Sequence, residues 1–142
     1  MREIPKELWA EVLAAVTAIT WGPDGNEPDA AASEAGIVQL RAIYDRQERL
    51  GQAEPFLTEA MADYTDDAAE AIDLYRRALA QSKGHPDEPT HTKRICMASL
   101  LIELGNHGEA RSELVLGRAE AQKLDDGPYV TMADELLAKL AV

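Results

Sequence analysis

The spacing of apolar residues along the chain predicts seven α-helices and no β-strand. In each segment, apolar side chains recur three and four positions apart, which is the spacing of one helical face. Glycine, proline and aspartate residues separate the segments and interrupt the pattern. We expect helices at about residues 5–20, 33–51, 54–64, 67–82, 90–105, 106–125 and 128–141. The pattern therefore predicts an all-α chain.

The first predicted helix carries two apolar stripes instead of one. One stripe consists of Leu8, Val12, Ala15 and Ile19, and the second of Trp9, Leu13 and Val16. A helix that is apolar around most of its circumference is either buried between neighbours or exposes a patch that a partner covers. We favour burial of both stripes, because such stripes usually belong to the core.

Polar residues near the predicted helix starts are interpreted as caps. We expect Ser33 to cap the second helix and Asp66 or Asp67 to cap the fourth, since short oxygen-bearing side chains accept hydrogen bonds from free amides there. Asp63 and Glu70 belong to the same acidic cluster. Carboxylates at a helix start also complement the helix dipole, so we interpret this cluster as structural and not as a metal site.

Composition limits the function classes. With 142 residues the chain is the size of one domain, and its formal charge of -12 repels nucleic-acid phosphates and anionic lipid. That charge would attract a basic protein surface. Cys96 is the single cysteine, and no secretory signal or membrane-spanning segment is recognisable, so we expect a cytoplasmic location.

Metal and catalytic sites are poorly supported. Residues 24–29 resemble part of a calcium loop, but Pro28 replaces a ligand and Ala35 stands where a glutamate should close the loop. For zinc, His91 and Cys96 are five positions apart, a spacing that does not align two side chains on a helix. There is no nucleophile elbow or phosphate-binding loop. We therefore expect no catalytic residues, metal or cofactor.

Two segments resemble the tetratricopeptide repeat. In residues 67–79, Ala71, Tyr75 and Ala78 take the small, aromatic and small positions of a second repeat helix. In residues 98–110, Ala98 and Ala110 take small positions, and the large and turn positions hold Leu101 and Gly105.

The spacing of these two segments departs somewhat from the usual repeat. Ala71 and Ala110 are 39 positions apart, against a usual period of about 34. The loop at residues 84–87 accounts for the surplus and is similar to the loop of the longer repeats of kinesin light chains. Leu114 and Gly117 replace the aromatic and the second alanine in the later copy. The resemblance covers about residues 55–142.

The resemblance implies a single all-helical domain of stacked antiparallel hairpins. Residues 1–52 would form N-terminal helices, residues 53–126 the tetratricopeptide-like hairpins and residues 127–142 a capping helix. Such stacks bind proteins or peptides in a groove lined by the first helices of the hairpins. The residues that would approach that groove are Tyr64, Thr92, Arg94 and Ser99. An equally good explanation of these polar positions is that they are simply exposed to solvent.

We therefore expect a non-enzymatic adaptor that binds a protein or peptide partner, with no role for nucleic acid or membrane. The alternative is an acidic immunity or antitoxin protein that neutralises a basic toxin, which the small size and the charge suggest. Monomer and homodimer both remain open, since terminal helices of a stack can leave apolar surface to bury.

Overall fold

The computed structural model describes residues 4–20 and 30–141. Over these residues the chain forms seven α-helices and no strand, so the all-α prediction is confirmed. The helices are α1 (Lys6–Thr20), α2 (Ala30–Arg49), α3 (Pro55–Asp63), α4 (Ala68–Ser82), α5 (His91–Glu103), α6 (His107–Lys123) and α7 (Gly127–Leu140). None of them is long and apolar enough to cross a bilayer. The calcium-like segment at residues 24–29 lies outside the described residues.

Three helices end in the same way. After α2, α5 and α6, a residue takes a positive φ: Gly51 at 66°, Gly105 at 82° and Asp125 at 56°. The next amide then donates to a carbonyl five positions back, as Asn106 does to Leu101 over 2.8 Å. This is the Schellman arrangement, which satisfies carbonyls that the helix leaves free. Glycine takes this conformation at little steric cost, and aspartate is one of the few other residues that tolerate it.

The predicted caps are partly right. The Asp67 carboxylate accepts a hydrogen bond from the Glu70 amide over 2.8 Å, which confirms the cap of α4. The Ser33 prediction is wrong, because α2 already begins at Ala30. The Ser33 hydroxyl instead donates to the carbonyl oxygen of Ile19 over 3.0 Å. It thereby satisfies a carbonyl at the end of α1, where intrahelical partners run out.

Helices α1 and α2 pack antiparallel. Arg46 near the end of α2 pairs with Glu11 in the first half of α1, over 2.9 Å. Close packing of α1 on α2 depends on Gly36, because a Cβ atom there would lie 2.8 Å from Ile19 Cγ1 and 3.0 Å from the Ala15 carbonyl oxygen. The absence of a side chain at this position lets the two helix backbones approach.

Side-chain contacts also join alternate helices. Arg41 pairs with Glu70 and Arg77 with Glu48, and both pairs are 29 positions apart. Because the later residue of α2 contacts the later residue of α4, these two helices run in the same direction. Arg76 of α4 pairs in turn with Glu109 of α6 over 2.8 Å. Equivalent contacts link α3 to α5 and α5 to α7, as the next subsection describes.

The core consists of two neighbouring clusters. The first lies among α1, α2 and α3, and the second extends from the end of α3 to α7. The half-buried side chain of Leu74 packs against both. The first stripe of α1 is buried as predicted, and so are the small and aromatic positions of α4, Ala71, Tyr75 and Ala78.

The expectation that both stripes of α1 are buried is wrong. Trp9 and Leu13 are 51% and 52% exposed, and only Val16 of the second stripe is half-buried. The reason is that the first stripe of α1 packs in the core with α2. The second stripe contacts α3 only at its edge, where Trp9 lies against Phe56. No helix of the described ranges covers the rest.

Candidate binding surface

An exposed apolar patch lies where α1 meets α3. It comprises Trp9, Leu13 and Phe56, and we call it the Trp9 patch. The indole of Trp9 and the ring of Phe56 have centroids 5.5 Å apart and are tilted by 52°. Phe56 is half-buried and packs against the core cluster of α1, α2 and α3. Exposed large apolar side chains grouped around an aromatic pair are typical of protein-binding surfaces.

A separate open groove of about 630 Å³ lies at the start of α2, the end of α3 and the start of α4. We call it the Tyr64 groove. Its apolar lining includes Ile37, Val38 and Tyr64, and Val38 is 64% exposed. Burial raises the pKa of Tyr64, and the nearby Asp63 carboxylate adds to the rise, so the phenol keeps its proton at neutral pH.

Of the four predicted binding residues, Tyr64 lines the groove that bears its name, and the other three do not line it. On α5, Thr92 donates to Glu59 Oε2 of α3 over 2.6 Å, and Arg94 pairs with Glu113 of α6 over 2.7 Å. Ser99 is half-buried. Thr92 therefore links α5 to α3, and Arg94 links α5 to α6.

The sequence reasoning missed a buried lysine at the start of α5. Lys93 is 1% exposed, and its ammonium group donates to Glu59 Oε1 over 3.3 Å and to Glu88 Oε1 over 3.1 Å. It also donates to the Pro89 carbonyl oxygen over 2.7 Å. These bonds tie the loop before α5 to α3. A lysine on a helix is usually solvent-exposed, so no sequence pattern identified this one.

His91 makes the equivalent link from α5 to α7. The imidazole is 3% exposed, its Nε2 lies 2.8 Å from Asp126 Oδ2, and its ring meets that of Tyr129 edge-on at 5.5 Å. Next to it, Glu120 of α6 accepts a hydrogen bond from the Thr90 amide over 3.0 Å. These contacts link the start of α5 to the start of α7. The sequence suggested His91 only as a possible zinc ligand, and that interpretation was disfavoured.

A third polar group lies between α3, α4 and α5. The Tyr75 hydroxyl donates to Asp63 Oδ1, so this member of the acidic cluster bonds to a side chain of α4. Asp63 as a residue is exposed, but its carboxyl lies against Tyr75, and the loss of hydration there raises its pKa to about 6, with a further contribution from Glu59. Burial likewise raises the pKa of the Cys96 thiol to about 11. The thiol is therefore protonated at neutral pH and is a poor nucleophile.

Comparisons with known proteins assign no family. No family model, curated protein or solved structure matches this chain. Within the described residues, no group of three or more histidine, cysteine, aspartate and glutamate side chains is placed to hold a metal ion. The candidate surface consists of the Trp9 patch and the Tyr64 groove.

Proposed function

We propose that the chain is a non-enzymatic interaction module that binds a protein or peptide partner through a tetratricopeptide-like helical surface. The observation that carries this proposal is the exposure of Trp9 and Leu13 beside Phe56. Fully burying a large apolar side chain contributes about 1.5–3 kcal/mol, so covering this patch would supply a substantial part of a binding energy. Tryptophan is also among the residues that most often dominate binding interfaces.

The helical contacts support the repeat-like part of the proposal. Helices α2, α4 and α6 share a pattern of three buried residues at relative positions zero, four and seven, of which the first is small. These residues are Gly36, Leu40 and Ile43 in α2, Ala71, Tyr75 and Ala78 in α4, and Ala110, Leu114 and Gly117 in α6. Contacts between alternate helices accompany this pattern. Stacked hairpins produce both features, because each hairpin packs on the next in the same way. On this proposal α1 and α2 form a further degenerate repeat.

The test is affinity capture from the source cell with the tagged protein and with a Trp9→Ala, Leu13→Ala variant. The matched control is Val115→Ala, Leu116→Ala, which removes two side chains of similar exposure, 56% and 54%, from α6. We expect the patch variant to lose a partner that the wild type and the control retain, with unfolding midpoints of all three proteins alike. Equal recovery of every captured protein by both variants would contradict the proposal.

A second candidate function is supported by the net charge of -12. An acidic immunity or antitoxin protein would bind a basic toxin through its charged surface, and its association would slow strongly as salt is raised. A partner held by the Trp9 patch would respond weakly to salt. Repeating the capture at low and high salt therefore separates the two functions. With either function we propose a cytoplasmic location, which the unpaired Cys96 supports.

A further inference from the structure

We propose that the Tyr64 groove receives a lysine or arginine side chain, together with a neighbouring apolar side chain, from the partner protein. This inference rests on the proposed function, because it names a feature that the partner presents. The groove and the Trp9 patch are lined by different residues, so the two can be tested independently.

The size and lining of the groove set what it can hold. Its volume of about 630 Å³ lies within the range of about 300–1,000 Å³ that is usual for binding pockets. It therefore has room for one or two side chains. Ile37, Val38 and Tyr64 provide apolar surface for an aliphatic stem, and the protonated Tyr64 hydroxyl provides a polar group beside it.

The charges around the groove favour a positively charged side chain as its ligand. Four acidic side chains and one basic side chain line it: Glu34, Asp66, Asp67, Glu70 and Arg41. Asp67 is engaged as the cap of α4. Glu34 and Asp66 are both exposed, and within the described residues neither has a basic side chain at ion-pair distance. A cation entering the groove would meet the Glu34 and Asp66 carboxylates.

Arg41 shows how the groove accommodates a guanidinium group. Its Nη2 lies 3.3 Å from Glu70 Oε1, while the two side chains remain 41% and 52% exposed. An ion pair this exposed contributes little stability, so it can open or rearrange when a second cation arrives. The aliphatic part of an incoming lysine or arginine would cover Val38, which is 64% exposed.

The experiment uses three blocked tripeptides, with leucine on both sides of arginine, glutamine or glutamate. Binding is followed through the backbone amide NMR shifts of the full chain. We expect the arginine peptide to shift the amides of Val38 and Tyr64 and to bind about tenfold more tightly than the glutamate peptide, with glutamine between them. Equal affinities, or shifts that do not include the groove, would overturn the proposal.

A charge reversal makes the test sharper. We expect Glu34→Lys, Asp66→Lys to prefer the glutamate peptide, whereas Glu103→Lys, Glu135→Lys, an equal charge change at exposed positions of α5 and α7, keeps the arginine preference. A preference unchanged by the first variant would show that Glu34 and Asp66 do not select the bound side chain, and a preference reversed by both variants would show that net charge alone acts. Either result would overturn the proposal. The Trp9→Ala, Leu13→Ala variant should bind the arginine peptide normally, so a failure of the proposed function remains distinguishable from a failure of this inference.

Discussion

Replacing Lys93 by methionine tests how the start of α5 is held. Methionine keeps most of the stem but removes the ammonium group, which makes three hydrogen bonds. Glu59 and Glu88, whose side chains are only 20% and 16% exposed, then lack their shared cation. Pro89 also loses the donor to its carbonyl oxygen.

The expected cost follows from this burial. Removing one partner of a buried ion pair costs about 3–5 kcal/mol, because the remaining charge stays partly desolvated. Glu59 and Glu88 keep some access to water, so we expect a loss of about 3 kcal/mol from the free energy of unfolding, near the lower limit of that range. The assay is urea denaturation followed by helical circular dichroism, with slope and midpoint fitted together.

The triple variant Lys93→Met, Glu59→Gln, Glu88→Gln is the control. Neutral amides remove the uncompensated charges, so this variant should recover at least half of the lost stability. A single variant within about 0.5 kcal/mol of the wild type would refute the reasoning, since changes of that size are typical of exposed positions. A triple variant no more stable than the single one would show that the lost carbonyl bond, and not charge, is responsible.

Three further stability predictions can be measured in the same assay. Gly36→Ala should lower the free energy of unfolding by about 1 kcal/mol, because overpacking against α1 outweighs the gain in helix propensity. The control is Gly108→Ala, which has no atom near the new Cβ and should be neutral or stabilising. Equal effects of the two substitutions would contradict the close approach of α1 and α2. Ala71→Leu should cost about 1–3 kcal/mol, and unchanged stability would mean that α4 packs differently. Because the pKa of Asp63 is raised from 3.8 to about 6, the folded state holds this proton more tightly than the unfolded state does. The free energy of unfolding should therefore fall as pH rises through that interval, and Asp63→Asn should flatten the fall. A pH profile unchanged by Asp63→Asn would contradict the raised pKa of Asp63.

Most of the helical framework could be predicted from the sequence. Helical periodicity identified all seven described helices, and Gly51 and Gly105 marked two of the helix ends, because these turns need a positive φ. The start of α2 was misplaced because Ser33 looks like a cap in the sequence. Its hydroxyl instead serves a carbonyl of α1, and that partner becomes visible only when the two helices are packed.

The candidate surface could be predicted only in part. The sequence showed that α1 has two apolar stripes, but which stripe is covered depends on where α2 and α3 lie. Thr92 and Arg94 were chosen as outward-facing residues, whereas both bond to neighbouring helices. Lys93 was missed because its burial depends on carboxylates 5 and 34 positions away, and local sequence does not show the more distant contact.

Site-specific photo-crosslinking tests the central claim most directly. A photoreactive amino acid replaces Leu13 in the Trp9 patch, or Leu116 on α6 as the control, and the source cells are irradiated. We predict an adduct between this chain and one protein partner from position 13, and none from position 116. The same adducts from both positions, no adduct from position 13, or an adduct only with a second copy of this chain would contradict the proposal that the patch binds a partner.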